Sequence, residues 1–314
     1  EILIGLVGSE MCIRDRGMTS YYDNIIDVSN RGVEVAIGGY PVRGKNFSWS
    51  SDLNISVNRN RIESLNNAQI NSYMQDAFIV GRPAGTVKGY VVDHIVQNMD
   101  EVNQLNAKAM ENGYAEYQSG TGVGDFLMKD IDGNGVITSD DRDVIATPEA
   151  KFFGGWTNTF TYKNFSLSFL MQFSYGGQAV YSNLGEEMSG VLGQSVGREL
   201  YGNTWTPERT DAKYARLVAG SMSYNYQVND RFVFDTSYLR MKNVTFSYSL
   251  PKEWINKCYL SNASVFVTAT NLFTVTKWPG LDPETVSTGI TSMGTNSDPY
   301  PLSRSFSLGV KLQF

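Results

Sequence analysis

The dominant pattern in the chain is strict alternation of apolar and polar side chains over segments of about ten residues, which predicts strands with two different faces. The last segment is the clearest: its apolar face carries Phe306, Leu308, Val310, Leu312 and Phe314, and its other face carries Ser305, Ser307, Gly309, Lys311 and Gln313. The segments Phe47–Asn58 and Phe165–Tyr175 repeat the alternation, as does the run from Val244 to Leu250.

The length of these segments and their small polar residues indicate a membrane rather than a soluble sheet. Strands of soluble proteins average about 5–6 residues, whereas a tilted strand that spans a bilayer needs about 9–11. The polar faces contain mostly Ser, Thr, Asn, Gln and Gly, which are typical of a barrel lumen. Aromatic side chains near strand ends fit interfacial girdles: Trp156, Tyr162, Phe165, Tyr175 and Trp278. A soluble β-sandwich, whose strands also alternate, is the alternative.

The connections between the predicted strands alternate between short and long. The short ones are Pro41–Asn46, Lys163–Asn164 and Pro251–Cys258, and the long ones are Arg59–Ala150, Gly176–Asp230 and Trp278–Arg304. Short turns at one end and long extracellular loops at the other are the plan of an outer-membrane barrel. We count about eight to ten strands. Within the first long loop we expect a strand near Tyr90–Val92 and a helix over Glu101–Glu111.

Composition and charge exclude several classes of function. The 314 residues carry a net charge of −6 and only 18% charged residues, so a nucleic-acid footprint is not expected. No apolar run approaches the ~18 residues of a membrane helix. Two cysteines, Cys12 and Cys258, make no disulfide framework. A single histidine, His94, argues against a Ser-His-Asp triad, and we assign no catalytic residues and expect no enzyme.

A twelve-residue loop, Asp130–Asp141, matches the spacing of calcium-binding loops. Oxygen ligands are expected at positions 1, 3, 5, 7, 9 and 12, with glycine at the sharp turn. The predicted calcium ligands are Asp130, Asp132, Asn134, the Val136 carbonyl, Thr138 and Asp141. Ile137 is expected to anchor the loop to a core. The alternative is an Asp- and Gly-rich turn that binds no metal.

The first residues, 1–16, differ in character from the rest of the chain. They read EILIGLVGSEMCIRDR and lack the basic start and cleavage site of a signal peptide. The end of this segment resembles a translated sequencing-adapter artefact, and the alternative is an ordinary first strand over Ile2–Val7. We therefore exclude residues 1–16 from fold reasoning and assign residues 17–314 to one portion of a β-barrel.

Several short motifs, met in order along the chain, resemble the SusC/RagA family of TonB-dependent outer-membrane transporters of Bacteroidetes. The most specific match is Asn271–Phe273 (NLF) followed by Gly280–Glu284 (GLDPE), and Tyr238–Val244 (YLRMKNV) is another match. Further matches are Asn30–Glu34, Gly81–Pro83, Trp205–Glu208, Lys213–Leu217 (with Ala215 in place of the family's proline), Tyr248–Pro251, Tyr300–Pro301 and the terminal Phe314.

The resemblance implies a C-terminal piece of a ~22-stranded antiparallel transmembrane β-barrel in the outer membrane, without the plug and first strands. It also implies nutrient import, of glycans, oligosaccharides or peptides, with a SusD-like surface lipoprotein as partner. Energy would come from the TonB complex through the missing N-terminal region, and Phe314 would be read by the barrel-insertion machinery. A piece of such a barrel is expected to be an open, curved sheet with unpaired edges near Val33 and Phe314.

A second hypothesis from the residues alone is a secreted all-β calcium-binding carbohydrate module. The loop aromatic residues Trp205, Trp278, Tyr224 and Tyr226 would then stack on sugars, or they simply pack within the loops. The positions of Phe169, Phe246 and Leu308 separate the two hypotheses. They face lipid in a barrel and are buried between two sheets in a soluble module.

Overall fold

The computed structural model describes residues 26–65, 78–188, 195–218, 224–255, 259–286, 295–296 and 300–314. The suspect segment 1–16 and both cysteines lie outside these residues. In chain order the strands are β1 (Ile26–Arg43), β2 (Phe47–Leu65), β3 (Val87–Gly89), β4 (Val92–Ile95), β5 (Phe126–Met128), β6 (Asp143–Ala146), β7 (Phe152–Tyr162), β8 (Phe165–Tyr175), β9 (Gln178–Tyr181), β10 (Val233–Asp235), β11 (Tyr238–Ser249), β12 (Asn262–Thr270), β13 (Thr274–Thr276), β14 (Thr295–Asn296) and β15 (Ser305–Gln313).

Helices are few and short. They are α1 (Met99–Glu111), α2 (Asn183–Met188) and α3 (Lys252–Ile255), with 3-10 turns at Ser139–Asp141, Tyr224–Tyr226, Asp230–Phe232 and Pro283–Thr285. The predicted helix therefore exists and begins two residues earlier than expected. Its start is set by Asn98, whose side chain accepts hydrogen bonds from the backbone of Asp100 and Glu101. No helix in the described ranges is both long and apolar enough to cross a membrane.

The long strands form one antiparallel sheet in the order β1-β2-β7-β8-β11-β12-β15, with β13 added beside β11. Neighbours along the chain are neighbours in the sheet, so every short turn lies at one end and every long connection at the other. The two-residue turn between β7 and β8 places Lys163 at φ 51°, the left-handed conformation that tight hairpins require. Among the described residues β1 and β15 each lack an outer partner, and the sheet is open as expected.

The main hydrophobic core lies outside this sheet, within the long connections. Three small sheets form there, in the orders β10-β9-β14, β3-β6 and β4-β5. Their largest buried side chains include Phe126, Met128, Tyr214 and Phe232. The first and second long connections share this cluster, and in the third connection β14 pairs with β9 and Trp278 contacts Tyr181 and Phe234. The described residues of the three long connections therefore form one layer, which we term the loop layer.

The apolar face of the large sheet is uncovered. Phe246 is 46% exposed and Leu308 is 75% exposed, while Phe169 is half-buried only because its neighbours Trp156 and Phe160 on the same face pack against it. A β-sandwich buries such residues between two sheets. The soluble alternative is therefore wrong, and the antiparallel, partial-barrel interpretation is confirmed.

Candidate functional site

The apolar face of the large sheet runs without interruption across all seven long strands. Directly paired residues of neighbouring antiparallel strands lie on the same face. One such row contains Val42, Trp49, Phe160, Leu167, Phe246, Val267 and Leu308, in that order across the sheet. A continuous apolar band of this kind has no partner in water and is complementary to lipid acyl chains.

The opposite face carries a matching row of hydroxyl side chains. It contains Ser50, Thr159, Ser168, Thr245, Thr268 and Ser307 across six strands. Thr159 and Ser168 are hydrogen-bonded at 3.0 Å between their hydroxyl oxygens, and Thr245 and Thr268 at 3.1 Å. Small neutral hydroxyls that bond one another give a polar, uncharged wall, as expected for a lumen.

Two tryptophans on the apolar face satisfy their indole N–H groups within the sheet. Trp49 donates to the amide oxygen of Asn158 at 2.9 Å, and Trp156 donates to the hydroxyl of Ser51 at 2.9 Å. Lipid tails accept no hydrogen bonds, so these partners satisfy the two indole N–H groups, while the buried side-chain nitrogen of Asn158 finds no acceptor among the described residues. Trp156 lies in the middle of β7, and the expectation that it sits in a girdle at a strand end is wrong.

Other aromatic residues do lie at the ends of the strands. At the short-turn end Phe47, Tyr162 and Phe165 are 37%, 52% and 45% exposed. At the opposite ends of β7 and β8, Phe152 and Tyr175 stack at 5.2 Å between ring centroids. Trp278, in contrast, is 5% exposed within the loop layer, so it is not an interfacial anchor.

A buried ion cluster ties the loop that follows β13 to the polar face of β11. Arg240, which is 2% exposed, donates to Asp282 at 2.6 Å, to Glu284 at 3.0 Å and to the Thr274 hydroxyl at 2.9 Å. Lys242 adds a bond to Glu284 at 2.8 Å. The YLRMKNV and GLDPE motifs therefore meet in space, and their charged residues pair with one another. One buried oxygen of Glu284 has no hydrogen-bond partner among the described residues.

The pKa of Asp282 reflects this cluster. Burial opposes ionisation of the carboxyl group, but hydrogen bonds from Arg240 and from the backbone of Glu284 and Leu302 outweigh burial. Together they hold the pKa of Asp282 below its ordinary value. The carboxylate is thus the stable form, and it fixes the turn Pro283–Thr285 by capping it.

A second buried carboxylate joins the first long connection to the second. Asp125, 1% exposed, accepts two bonds from Arg216, at 2.8 and 3.0 Å, and one from Asn225 at 2.8 Å. Arg216 belongs to the Lys213–Leu217 motif, but nothing in the sequence marked Asp125 or its pairing with Arg216, because two charged residues far apart in the chain carry no periodic signal. Their contact makes the loop layer a single unit.

The calcium-type loop brings three of its predicted ligands together. Ligand oxygens of Asp130, Asp132 and Asp141 all lie within 4.8 Å of one another. Asp141 is fully buried, and one oxygen accepts from the backbone of Ile131 at 2.8 Å while the other accepts from that of Thr138 at 2.7 Å. Asp141, which is shorter than the glutamate usual at the last position of such loops, thus still contacts residues at the start of the loop.

The side chains of two other predicted ligands, Asn134 and Thr138, form hydrogen bonds within the loop. The Asn134 amide donates to Asp132 at 2.8 Å, and its oxygen accepts from the backbone of Val136 at 2.9 Å. The Thr138 hydroxyl caps the turn Ser139–Asp141 and lies 3.5 Å from Asp141. Side-chain rotation of Asn134 would turn its oxygen toward the carboxylates. The oxygen-only donor set suits a hard divalent cation.

The loop is firmly attached to the loop layer. Ile137 is 4% exposed in the main core, as expected, and its carbonyl accepts from the Tyr224 hydroxyl at 3.0 Å. Tyr117 packs against the same core, where burial and then the nearby Asp130 charge raise the pKa of its hydroxyl to about 12. The negative charge of the calcium-type loop therefore contributes to the raised pKa of a neighbouring side chain in the loop layer.

The loop aromatic residues are engaged in packing rather than displayed for stacking. Trp205 lies on Gly124, where an added Cβ would sit 2.5 Å from the indole ring, and its N–H donates to Gln97 at 3.2 Å. Tyr224 and Tyr226 are half-buried against the main core. The packing interpretation accounts for all three.

Comparisons with known proteins place these features in context. The chain is 29% identical over 317 residues to TonB-dependent receptor P3 of Formosa agariphila, covering 95% of this chain and 30% of that receptor. It is 28% identical over 297 residues to the TonB-dependent receptor SusC of Bacteroides thetaiotaomicron, covering 93% of this chain and 27% of that receptor. The chain thus spans less than a third of the length of these relatives. No protein-family profile matches it.

The fold is similar to that of solved RagAB structures. A structure described as the RagAB peptide transporter superposes with a TM-score of 0.71 at 21% identity, covering 95% of this chain and 31% of that one. The RagAB peptide importer in its "open-open" state gives a TM-score of 0.69 at 19% identity, with 98% and 31% covered. The resemblance to SusC/RagA proteins and the outer-membrane location are confirmed by these comparisons.

Proposed function

We propose that this chain is a barrel portion of a longer TonB-dependent receptor that imports nutrients across the outer membrane. The observation that carries the proposal is the apolar row from Val42 to Leu308, backed by the hydroxyl row from Ser50 to Ser307. One face suits lipid and the other a polar passage, so the sheet works as the wall of a transport barrel rather than as an enzyme. The TonB-dependent relatives support the same class of function.

Two partners follow from the relatives and one from the chain itself. A SusD-like lipoprotein would cover the loop layer, and TonB would act on a segment of the longer receptor N-terminal to this barrel portion. The exposed Phe314, which directly follows the alternating strand β15, is proposed as the signal for the barrel-insertion machinery. The imported nutrient would be a glycan, an oligosaccharide or a peptide; the RagAB structures, titled a peptide transporter and importer, favour the peptide.

Uptake by living cells tests the proposed function. Cells that carry the gene are compared with cells that lack it, and each pair is measured with TonB present and with TonB deleted. We expect labelled oligosaccharide or peptide to accumulate only when both genes are intact. Accumulation that survives loss of TonB would contradict the proposal. Co-purification of a surface lipoprotein with the tagged receptor tests the partner separately.

We further propose that the Asp130–Asp141 loop binds calcium and thereby stiffens the loop layer. The three converging carboxylates, one of them fully buried, support this, because a divalent cation would relieve their mutual repulsion. With ~1 mM calcium and a dissociation constant of ~0.1 mM, binding would stabilise the loop by about 1.4 kcal/mol. The role is structural and involves no chemical step.

Calcium titration of the purified receptor after chelation tests this site. We expect binding to be lost in Asp132→Ala and kept in Asp140→Asn, a matched control on an exposed aspartate of the same loop that is not a predicted ligand. Limited proteolysis with and without calcium reports the stiffening. Equal calcium binding by wild type and Asp132→Ala would rule the site out.

A further inference from the structure

A cleft of about 450 Å³ opens in the loop layer, and none of its lining residues belongs to the calcium-type loop. Four parts of the chain form it: the end of β9, helix α2, the segment 197–203 and the residues that follow β13. Its lining residues are Tyr181, Leu184, Glu187, Gly197, Arg198, Glu199, Asn203, Trp278 and Pro279. The volume falls in the range of small-molecule sites, about 300–1,000 Å³.

The carboxylates at the cleft already have partners. Glu187 accepts a hydrogen bond from the backbone of Gly197 at 2.7 Å. Glu199 accepts from the ammonium of Lys213 at 2.8 Å and from the hydroxyl of Tyr214 at 2.8 Å. Both side chains therefore hold the walls of the cleft together.

Two hydrogen-bond donors at the cleft have no such partner. Arg198 is exposed and makes no hydrogen bond or ion pair with any part of the chain that the structure describes. Trp278 is 5% exposed, and its buried indole N–H has no acceptor there either. Native proteins rarely leave a buried N–H unsatisfied, so this group is open to an acceptor that the described residues do not supply.

The unmatched groups define the chemistry of the ligand. Both are donors, one carries a positive charge, and the Arg198 guanidinium is a planar fork that matches a carboxylate with two parallel bonds. Glu187 and Glu199 nearby disfavour a dianion such as phosphate. Trp278 is 5% exposed and makes T-shaped contacts with Tyr181 at 5.7 Å and Phe234 at 6.3 Å, so its ring offers no open face to a sugar.

We infer that this cleft binds the carboxylate group of a ligand arriving at the loop layer, with Arg198 as the charged contact and the Trp278 N–H as the neutral one. The inference rests on the proposed import function, since it describes a ligand of the same receptor. A carboxylate is present both at the end of a peptide and on a uronic-acid sugar. The cleft recognises that shared group.

Calorimetric titration of the receptor in detergent tests the inference with two pairs of probes. Trialanine is compared with trialanine amide, and digalacturonic acid with its methyl ester. We expect one acid to bind and its neutral partner to bind at least about tenfold more weakly, the loss of ~1.4 kcal/mol that a missing charged contact entails. The acid that binds identifies the source of the carboxylate.

Three variants locate the binding. Arg198→Gln is expected to weaken the acid about tenfold and to leave the neutral probe unchanged, and Trp278→Phe, which removes only the N–H, to weaken it less. Arg209→Gln, an exposed arginine of the loop layer outside the cleft, should bind as wild type does.

Absence of acid binding to the wild type at about 10 mM, or equal acid binding by wild type and Arg198→Gln, would overturn the inference. Binding needs no TonB, so this outcome is distinct from a failure of TonB-dependent uptake, which concerns the proposed function alone.

Discussion

Replacing Arg240 by methionine is the sharpest probe of how the loop layer is held to the barrel. The change keeps most of the side-chain volume but leaves Asp282, a carboxylate only 4% exposed, without its cation. Removing one partner of a buried ion pair costs about 3–5 kcal/mol. Asp282 keeps its backbone bonds from Glu284 at 2.9 Å and Leu302 at 3.2 Å. We therefore expect the lower end, about 3 kcal/mol.

Native-state hydrogen exchange of the Glu284 and Leu302 amides measures this effect locally. A loss of ~3 kcal/mol accelerates exchange by roughly 150-fold if these amides open with the loop. The matched control is Lys242→Met, whose ammonium is 32% exposed and whose loss leaves Arg240 in place, so we expect less than about 1 kcal/mol. Equal protection in the two variants would refute the reasoning.

The double variant Arg240→Met with Asp282→Leu provides an internal check. Removing both charges leaves no uncompensated carboxylate, so protection should partly recover relative to Arg240→Met alone. The depressed pKa of Asp282 sets the direction of the pH dependence. The stabilisation is present above the unfolded pKa of about 3.9 and is lost as the pH falls through the lower folded value.

Two further predictions concern the membrane face and the single histidine. Leu308→Arg, on the apolar face, should destabilise the inserted barrel by about 2–4 kcal/mol in a denaturant titration in lipid vesicles, whereas Ser307→Arg on the opposite face should cost less than half of that. Burial opposes charging of His94, but its hydrogen bonds to Glu101 and Asp93 prevail and raise its pKa. The stabilisation of α1 by the imidazolium is therefore fully present below about pH 6.5 and disappears as the pH rises through the higher folded pKa of His94. The rate of proteolysis of α1 should depend on pH across that range in the wild type and lose this dependence in His94→Gln.

The large sheet was predictable because its signal is local. The alternation of apolar and polar residues from Phe165 to Tyr175 predicts which residues lie on each face of β8. The two-residue turn at Lys163 predicts that β8 pairs with β7. The long strands β1 and β2 exceed the predicted lengths, since they continue into the loop layer, where Ile62 packs on Phe78.

The contacts that organise the loop layer were not predictable. Asp125 and Arg216 are separated by 91 residues, and Arg240 and Asp282 by 42, so no periodicity links either pair. Trp278 illustrates the opposite error, because its position after a strand suggested a membrane anchor. The structure buries it between Tyr181 and Phe234 instead.

The most direct test of the transmembrane barrel is a cysteine and spin-label scan of β15 in lipid vesicles. Single cysteines replace each residue from Ser305 to Gln313 in a receptor whose native cysteines, Cys258 among them, are serine. A lipid-facing apolar band predicts high oxygen accessibility, the signature of lipid, at 306, 308, 310 and 312, and low accessibility at the alternate positions. Oxygen accessibility without this two-residue period, or water exposure on both faces of β15, would contradict the transmembrane barrel.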